Sequence, residues 1–150
     1  MLDLYIDGDA FPKLLKPIVF RSIERLGIKT FVVANKKVDI GKSSNISYLV
    51  VDAGADEADK KIVSMIKEGD LVITADIPLA DLVISKSAHA IDHRGELYSV
   101  NNIKQYLAMR NLMDKIRENG EITKGPKPFS QKNAHDFANQ FNAFLSKNFT

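Results

Sequence analysis

Two aspartates near the start of the chain, Asp7 and Asp9, are spaced for metal or phosphoryl chemistry. They follow the largely apolar run from Leu2 to Ile6 and have only Gly8 between them. The run predicts a short buried strand, and in open α/β sheets ligands bind just beyond the carboxyl ends of the strands. A carboxylate pair in that place indicates a site for a hard cation. Gly8 would allow a tight turn there or the close approach of a ligand.

Further aspartates are predicted to lie at the same edge of the sheet. Asp76 follows a second apolar run, Leu71–Thr74, and the carboxyl ends of parallel strands meet at one edge. Asp56 and Asp59 are three residues apart in a predicted helix, so their side chains project from one helical face. Capping of a helix start would explain Asp56 or Asp76 taken singly.

Taken together, the acids predict a divalent-metal site, because capping explains neither Asp7 nor Asp59. Carboxylates that converge raise one another's pKa values unless a cation neutralises them. An all-oxygen ligand set favours Mg²⁺ or Mn²⁺. The predicted metal ligands are Asp7, Asp9, Asp56, Asp59 and Asp76, with Asp81 ranked below them. Zinc is disfavoured, because the sequence has no cysteine and its three histidines, His89, His93 and His135, show no ligand spacing.

The chemistry that this site predicts is hydrolysis of a phosphodiester. A bound divalent cation can activate water and stabilise charge on a phosphoryl oxygen. The catalytic residues would be Asp7, Asp9, Asp59 and Asp76. The sequence contains no Ser-His-acid arrangement, phosphate-cradling glycine loop or dinucleotide fingerprint that would compete with this interpretation.

Two basic residues are candidates for binding phosphate. Arg110 falls within the predicted apolar arc of a long helix, where it either faces the metal site, pairs with a buried acid or reaches the rim. Lys127 stands between Pro126 and Pro128, which could present its amine rigidly to a phosphate or simply stiffen a connector.

The elements that position these residues alternate between strand and helix, which predicts an α/β fold with a mostly parallel sheet of four or five strands and helices on both faces. The predicted strands are Leu2–Ile6, Lys29–Ala34, Ile46–Val51, Leu71–Thr74 and Ala88–Ile91. The predicted helices are Lys13–Leu26, Asp56–Glu68, Pro78–Ser85, Val100–Glu118 and Ser130–Lys147.

Length and composition are those of one soluble globular domain. The chain has 150 residues, of which 45% are hydrophobic and 27% charged, and no apolar run approaches the ~20 residues of a membrane span. We therefore expect a cytoplasmic protein with no membrane partner. Residues 1–100 hold 13 Lys/Arg and 15 Asp/Glu, whereas residues 101–150 hold 8 and 4. An acidic first part beside a basic, helical C-terminal part suits an enzyme that acts on a polyanion.

Several blocks of the sequence resemble the YaiI/YqxD family of bacterial proteins of unestablished function. The resemblance covers residues 4 to 145 and rests on five blocks in the family's order: Asp7–Pro12, Gly54–Asp59, Gly69–Ala80, Arg94–Gly95 and Gly125–Phe129. At the first block Gly8 and Phe11 replace the alanine and cysteine that the family often has. The loss of the cysteine argues against a thiol role at the site and leaves the carboxylates untouched.

This resemblance implies a three-layer PIN-like nuclease fold spanning residues 1–150. It further implies a metal-dependent nuclease site that takes its acids from the first strand, a central helix and a later strand. These acids match Asp7, with Asp9 beside it, Asp56 or Asp59, and Asp76. The implied substrate is RNA or another single-stranded nucleic acid, and Arg94 joins Arg110 and Lys127 as a predicted phosphate-binding residue.

The sequence leaves other functions open. In a phosphatase, Asp7 would be the nucleophile and Asp9 the acid or base. A non-catalytic module would bind RNA or a protein on the same scaffold without cutting it. A receiver-type phosphoacceptor centred on Asp52 is less favoured, because no lysine follows the fifth predicted strand.

Overall fold

A six-stranded sheet in the order β3-β2-β1-β4-β5-β6 forms the centre of the computed structural model, which describes residues 2–54, 56–120 and 127–149. The strands are β1 (Leu4–Asp7), β2 (Thr30–Ala34), β3 (Ile46–Val50), β4 (Leu71–Ile73), β5 (His89–Ile91) and β6 (Leu97–Tyr98). The helices are α1 (Lys16–Leu26), α2 (Glu57–Met65), α3 (Ile77–Ser85), α4 (Ile103–Glu118) and α5 (Gln131–Asn148), and a 3₁₀ turn (Lys13–Leu15) precedes α1.

The helices cover the sheet on both faces, because alternate residues of its buried strands point to opposite sides. Leu4 and Ile6 of β1 pack in one core cluster with α1 and α5, while Tyr5 packs in a second cluster with α2 and α3. The predicted α/β fold with a mostly parallel sheet is therefore confirmed, in a three-layer arrangement.

The sheet has six strands, whereas four or five were predicted. The additional strand is the short β6, which pairs antiparallel with β5. Its two residues are too few to give a periodic signal. The turn before it sets the pairing, since the Asp92 carboxylate accepts hydrogen bonds from the backbone N–H groups of Arg94 (2.9 Å) and Glu96 (2.8 Å). Gly95 follows with a φ of 93°, a conformation that favours glycine.

The strand order determines where a ligand can enter the sheet. β1 is central, with β2 parallel to it on one side and β4 parallel to it on the other. The connections that leave β1 and β4 run to opposite halves of the sheet, so a crevice opens beyond the carboxyl ends of these two strands. Such a crevice is the usual binding position in open α/β sheets.

No helix in the described part of the chain is both long enough and apolar enough to cross a membrane.

Candidate functional site: an acidic cleft

Asp7 ends the central strand with its carboxyl group partly buried. The Thr74 hydroxyl, at the end of the neighbouring β4, donates a 2.8 Å hydrogen bond to Asp7 Oδ2. The pKa of Asp7 is raised to about 6, because burial and the nearby charges of Asp9 and Asp76 raise it more than the Thr74 hydrogen bond lowers it. The carboxyl group that ends β1 thus lacks a compensating cation among its described neighbours.

After Asp7 the chain turns at Asp9 and Ala10, the latter with a φ of 61°, so the tight turn, one of the two uses predicted for Gly8, lies just beyond that residue. Gly8 continues the pairing with β2, since its N–H donates to the Val33 carbonyl at 2.8 Å. A Cβ atom at Gly8 would lie 3.1 Å from Ala34 Cβ, so the glycine permits close approach of the two strands. The Asp9 carboxylate beyond it accepts the Asn35 N–H at 3.2 Å.

Asp76 caps a helix and lines the cleft at the same time. Its Oδ1 accepts the Leu79 N–H at 3.0 Å at the start of α3, and its own N–H donates to Thr74 Oγ1 at 3.0 Å. The Thr74 hydroxyl therefore links the two strand-end aspartates, Asp7 and Asp76. The capping and functional interpretations of Asp76 are compatible, because a carboxylate has a second oxygen to offer.

The two acids of α2 differ in their setting. Asp56 precedes the helix in a left-handed conformation with a φ of 68°, and its side chain makes no capping hydrogen bond. Asp59, in the first turn, has its pKa raised to about 7 by burial first, then by the charges of Asp76, Asp7 and Asp56, and by a hydrogen-bonding contact with the Asp76 carboxyl. The α2 acids and the strand-end acids thus act on one another electrostatically.

A cleft of about 360 Å³ collects these side chains at the carboxyl edge of the sheet. All five predicted metal ligands line it: Asp7, Asp9, Asp56, Asp59 and Asp76. Asp81 lies elsewhere, in a 3.0 Å ion pair with Lys104 of α4.

The donor chemistry of the cleft fits a hard divalent cation. In the described ranges no three acids or histidines are arranged as a ready coordination set. Mg²⁺ needs only one or two protein carboxylates, because it keeps several waters and takes further oxygens from a phosphate. A bound cation would stabilise the charged forms of Asp7 and Asp59 most, because the pKa values of these two acids are raised to about 6 and about 7.

His93 is a cleft residue that the sequence analysis missed. It lines the cleft, and its Nε2 is buried without a hydrogen-bond partner in the part of the chain that the structure describes. Burial, with the nearby Arg94 charge, lowers the pKa of His93 to about 4 and keeps the ring neutral. Phe11 holds the ring edge-on, with the centroids 5.6 Å apart. Its position two residues beyond the end of β5 could have predicted this, because residues at the carboxyl ends of parallel strands lie at one edge of the sheet, as Asp7 and Asp76 do.

The structure does not bring the predicted phosphate-binding residues to this cleft. The predicted apolar arc of α4 is buried only at Ile103 and is open beside Arg110, where Met109 is 58% exposed. Arg110 is itself exposed and pairs with Asp114 one turn later, at 3.4 Å.

Arg94 and Lys127 contact each other, and their side chains do not converge on one anion site. The Arg94 guanidinium donates to the Lys127 carbonyl at 2.8 Å, while the Lys127 side chain is exposed. Arg94 lines a separate cavity between the β5–β6 turn and α5. Gly125 and Pro126, which belong to the predicted rigid segment, lie outside the described residues.

Comparison with protein families identifies the relatives of this chain. A family model described as uncharacterised BCR, YaiI/YqxD family, matches residues 5–147. The chain belongs to the YaiI/YqxD family. The resemblance seen in its sequence blocks is therefore confirmed over nearly the whole chain.

Relatives of this YaiI/YqxD member match it from end to end. A UPF0178 protein of Sulfurimonas denitrificans is 74% identical over 145 residues, which are 97% of this chain and 96% of the relative. A UPF0178 protein of Maridesulfovibrio salexigens is 44% identical and covers 97% of both chains.

Among solved structures, the fold of this YaiI/YqxD chain is similar to part of a homospermidine synthase from Legionella pneumophila, solved in complex with NAD. The TM-score is 0.50 and the identity 16%, and the match covers 84% of this chain and 36% of the synthase. At this identity the likeness concerns the α/β fold alone.

Proposed function

We propose that this protein hydrolyses phosphodiester bonds of nucleic acid with Mg²⁺ or Mn²⁺ held in the acidic cleft. The observation that carries the proposal is the gathering of five aspartates in one cleft at the end of the central strand, where burial and mutual charge raise the pKa of Asp7 and Asp59. Crowded carboxylates are costly to a fold unless something positive is bound among them. A divalent cation held by these carboxylates would supply that charge.

The chain's own groups have distinct roles in this proposal. Asp7, Asp59 and Asp76 would hold the cation, and Asp9 and Asp56 would extend the acidic wall around it. The Thr74 hydroxyl orients the Asp7 carboxylate by donating to it, and it fixes the backbone of Asp76 by accepting that residue's N–H. The bound cation would activate water and stabilise charge on the phosphoryl oxygens.

The substrate is proposed to be RNA or another single-stranded nucleic acid, in keeping with the resemblance to PIN-like nucleases. Lys36 and Lys37, exposed in the loop that follows β2, lie next to Asn35 of the cleft and could meet the backbone phosphates. We propose a cytoplasmic location, where such substrates are found.

The first test is calorimetric titration of Mn²⁺ into chelator-treated protein. The variant Asp7→Asn/Asp76→Asn should lose binding, because it removes two carboxylates. It keeps an acceptor for the Thr74 hydroxyl and a good N-cap for α3. The control Asp114→Asn/Asp136→Asn removes the same charge from α4 and α5, outside the cleft, and should bind Mn²⁺ like the wild type.

Cleavage of a labelled single-stranded RNA should depend on Mn²⁺ and be lost in the same double variant. RNA binding that survives in that variant, with no cleavage by any form, would support the non-catalytic module. Turnover of a phosphomonoester through an aspartyl-phosphate on Asp7, with RNA left intact, would support the phosphatase.

A further inference from the structure

A second cavity of about 480 Å³ lies between α2 and α3. Its walls are mainly apolar and include Val63 of α2 and Pro78, Leu79 and Leu82 of α3. Leu82 is 48% exposed, so it contributes apolar surface to this cavity. We call this cavity the α2–α3 groove.

The groove is continuous with the acidic cleft. Asp56 and Asp59 line both cavities, so they form the boundary between them. A polymer whose phosphate sits in the cleft therefore has an adjoining apolar surface for the next chemical group along its chain.

Two lysines supply the charge that such a polymer requires. Lys60 lies on the α2 side of the groove and Lys86 follows the end of α3. The Lys86 ammonium donates to the Val63 carbonyl at 2.7 Å, which holds it across the space between the helices. An ammonium has three N–H groups, so it can also bind a phosphate oxygen. Lys60 is exposed and makes a loose 3.6 Å ion pair with Glu57.

We propose that the α2–α3 groove binds the unpaired base of the nucleotide next to the phosphodiester held in the acidic cleft. This inference rests on the proposed function and makes it more specific, because it assigns a binding site for an unpaired base beside the acidic cleft. In a duplex the faces of each base are stacked and its edge is paired, whereas a single strand can turn one base into an apolar slot. The lysines would then meet the phosphate on the far side of that nucleotide.

The test compares two labelled oligonucleotides that carry the same phosphates. One is an octauridylate and the other is the same ribose-phosphate backbone without bases, and binding is measured by fluorescence anisotropy with Ca²⁺ as the cation. The wild type should bind the base-bearing strand about tenfold more tightly. Leu82→Glu should reduce that ratio to about one, because it places a charge in the groove.

Leu112→Glu is the matched control, since Leu112 is a leucine of similar exposure, 52%, on α4. It should keep the wild-type ratio. If Leu82→Glu fails to fold by circular dichroism, Ser64→Glu on the opposite wall provides the same test, because Ser64 is exposed.

A ratio that is unchanged by both groove variants, or a wild type that binds both strands equally, overturns the inference. A dimer that Leu82→Glu but not Leu112→Glu converts to a monomer would assign the groove to a second copy of the chain and also overturn it. RNA cleavage that needs Asp7, without base-dependent binding, refutes only the groove. Base-dependent binding without any cleavage refutes only the proposed hydrolysis.

Discussion

Removing the charge of Asp7 should stabilise the protein at neutral pH. The pKa of Asp7 is raised from 3.8 to about 6, mainly because burial disfavours the charged carboxylate. In Asp7→Asn the side chain keeps its shape and an oxygen that can accept the Thr74 hydroxyl. The substitution therefore isolates the cost of the charge.

The sign and size of the effect follow from the two pKa values. Below pH 3.8 the carboxyl is protonated in both states and the variant should match the wild type. Between pH 3.8 and 6 the unfolded chain releases its proton first, so the wild type loses stability as the pH rises. Above pH 6 the full difference applies, which is about 3 kcal/mol for a pKa difference of about two.

The assay is urea unfolding of both proteins in a chelating buffer at several values between pH 4 and 7.5. The advantage of Asp7→Asn should grow with pH to about 3 kcal/mol, or about 6–12 °C in Tm for a chain of this size. The control Asp52→Asn removes an exposed carboxylate and should follow the wild type. A variant that is equal to the wild type or less stable at pH 7.5 would refute the idea of an uncompensated charge at the end of β1.

Two further substitutions test the hydrogen bonds around the site and below it. Thr74→Val removes the hydroxyl that donates to Asp7, so NMR titration of the carboxyl groups should show the pKa of Asp7 rising above about 6. An unchanged pKa would show that this hydroxyl does not stabilise the charged form of Asp7. Asp70 is buried, and its carboxylate accepts the backbone N–H groups of Asp3 (3.0 Å) and Lys67 (2.8 Å). Asp70→Asn should leave one of these N–H groups unpaired and lower the free energy of unfolding by about 1–3 kcal/mol in chemical denaturation. A loss below about 0.5 kcal/mol would count against this role.

The sequence predicted the placement of the strand-end acids because simple geometry governs it. Asp7 and Asp76 follow apolar runs that form adjacent parallel strands, and the ends of such strands meet at one edge. Helical spacing predicted in the same way that Asp59 lies on the same side of its helix as Asp56. The strand and helix positions were predictable for the same reason, since each element has an apolar pattern of sufficient length.

The parts that were not predicted depend on which elements pack together. Nothing in the pattern of α4 shows that its residues Ile103 and Tyr106 pack with the second core cluster while Arg110, further along the helix, is exposed. The position of His93 depends on β5 lying two strands from β1, which is a property of the sheet order. The link from Thr74 to Asp7 joins residues 67 positions apart and likewise requires the pairing of β1 with β4.

The central position of β1 also has a consequence for biosynthesis. Among the six strands of the sheet β1 is synthesised first, yet its partner β4, which pairs Leu71 with Leu4, emerges only after β2 and β3. Until then, the first strand has a neighbour on one side at most. The acidic cleft is therefore completed late in synthesis, and a nascent chain that ends before β4 carries Asp7 without its hydrogen-bond donor Thr74 and without Asp76.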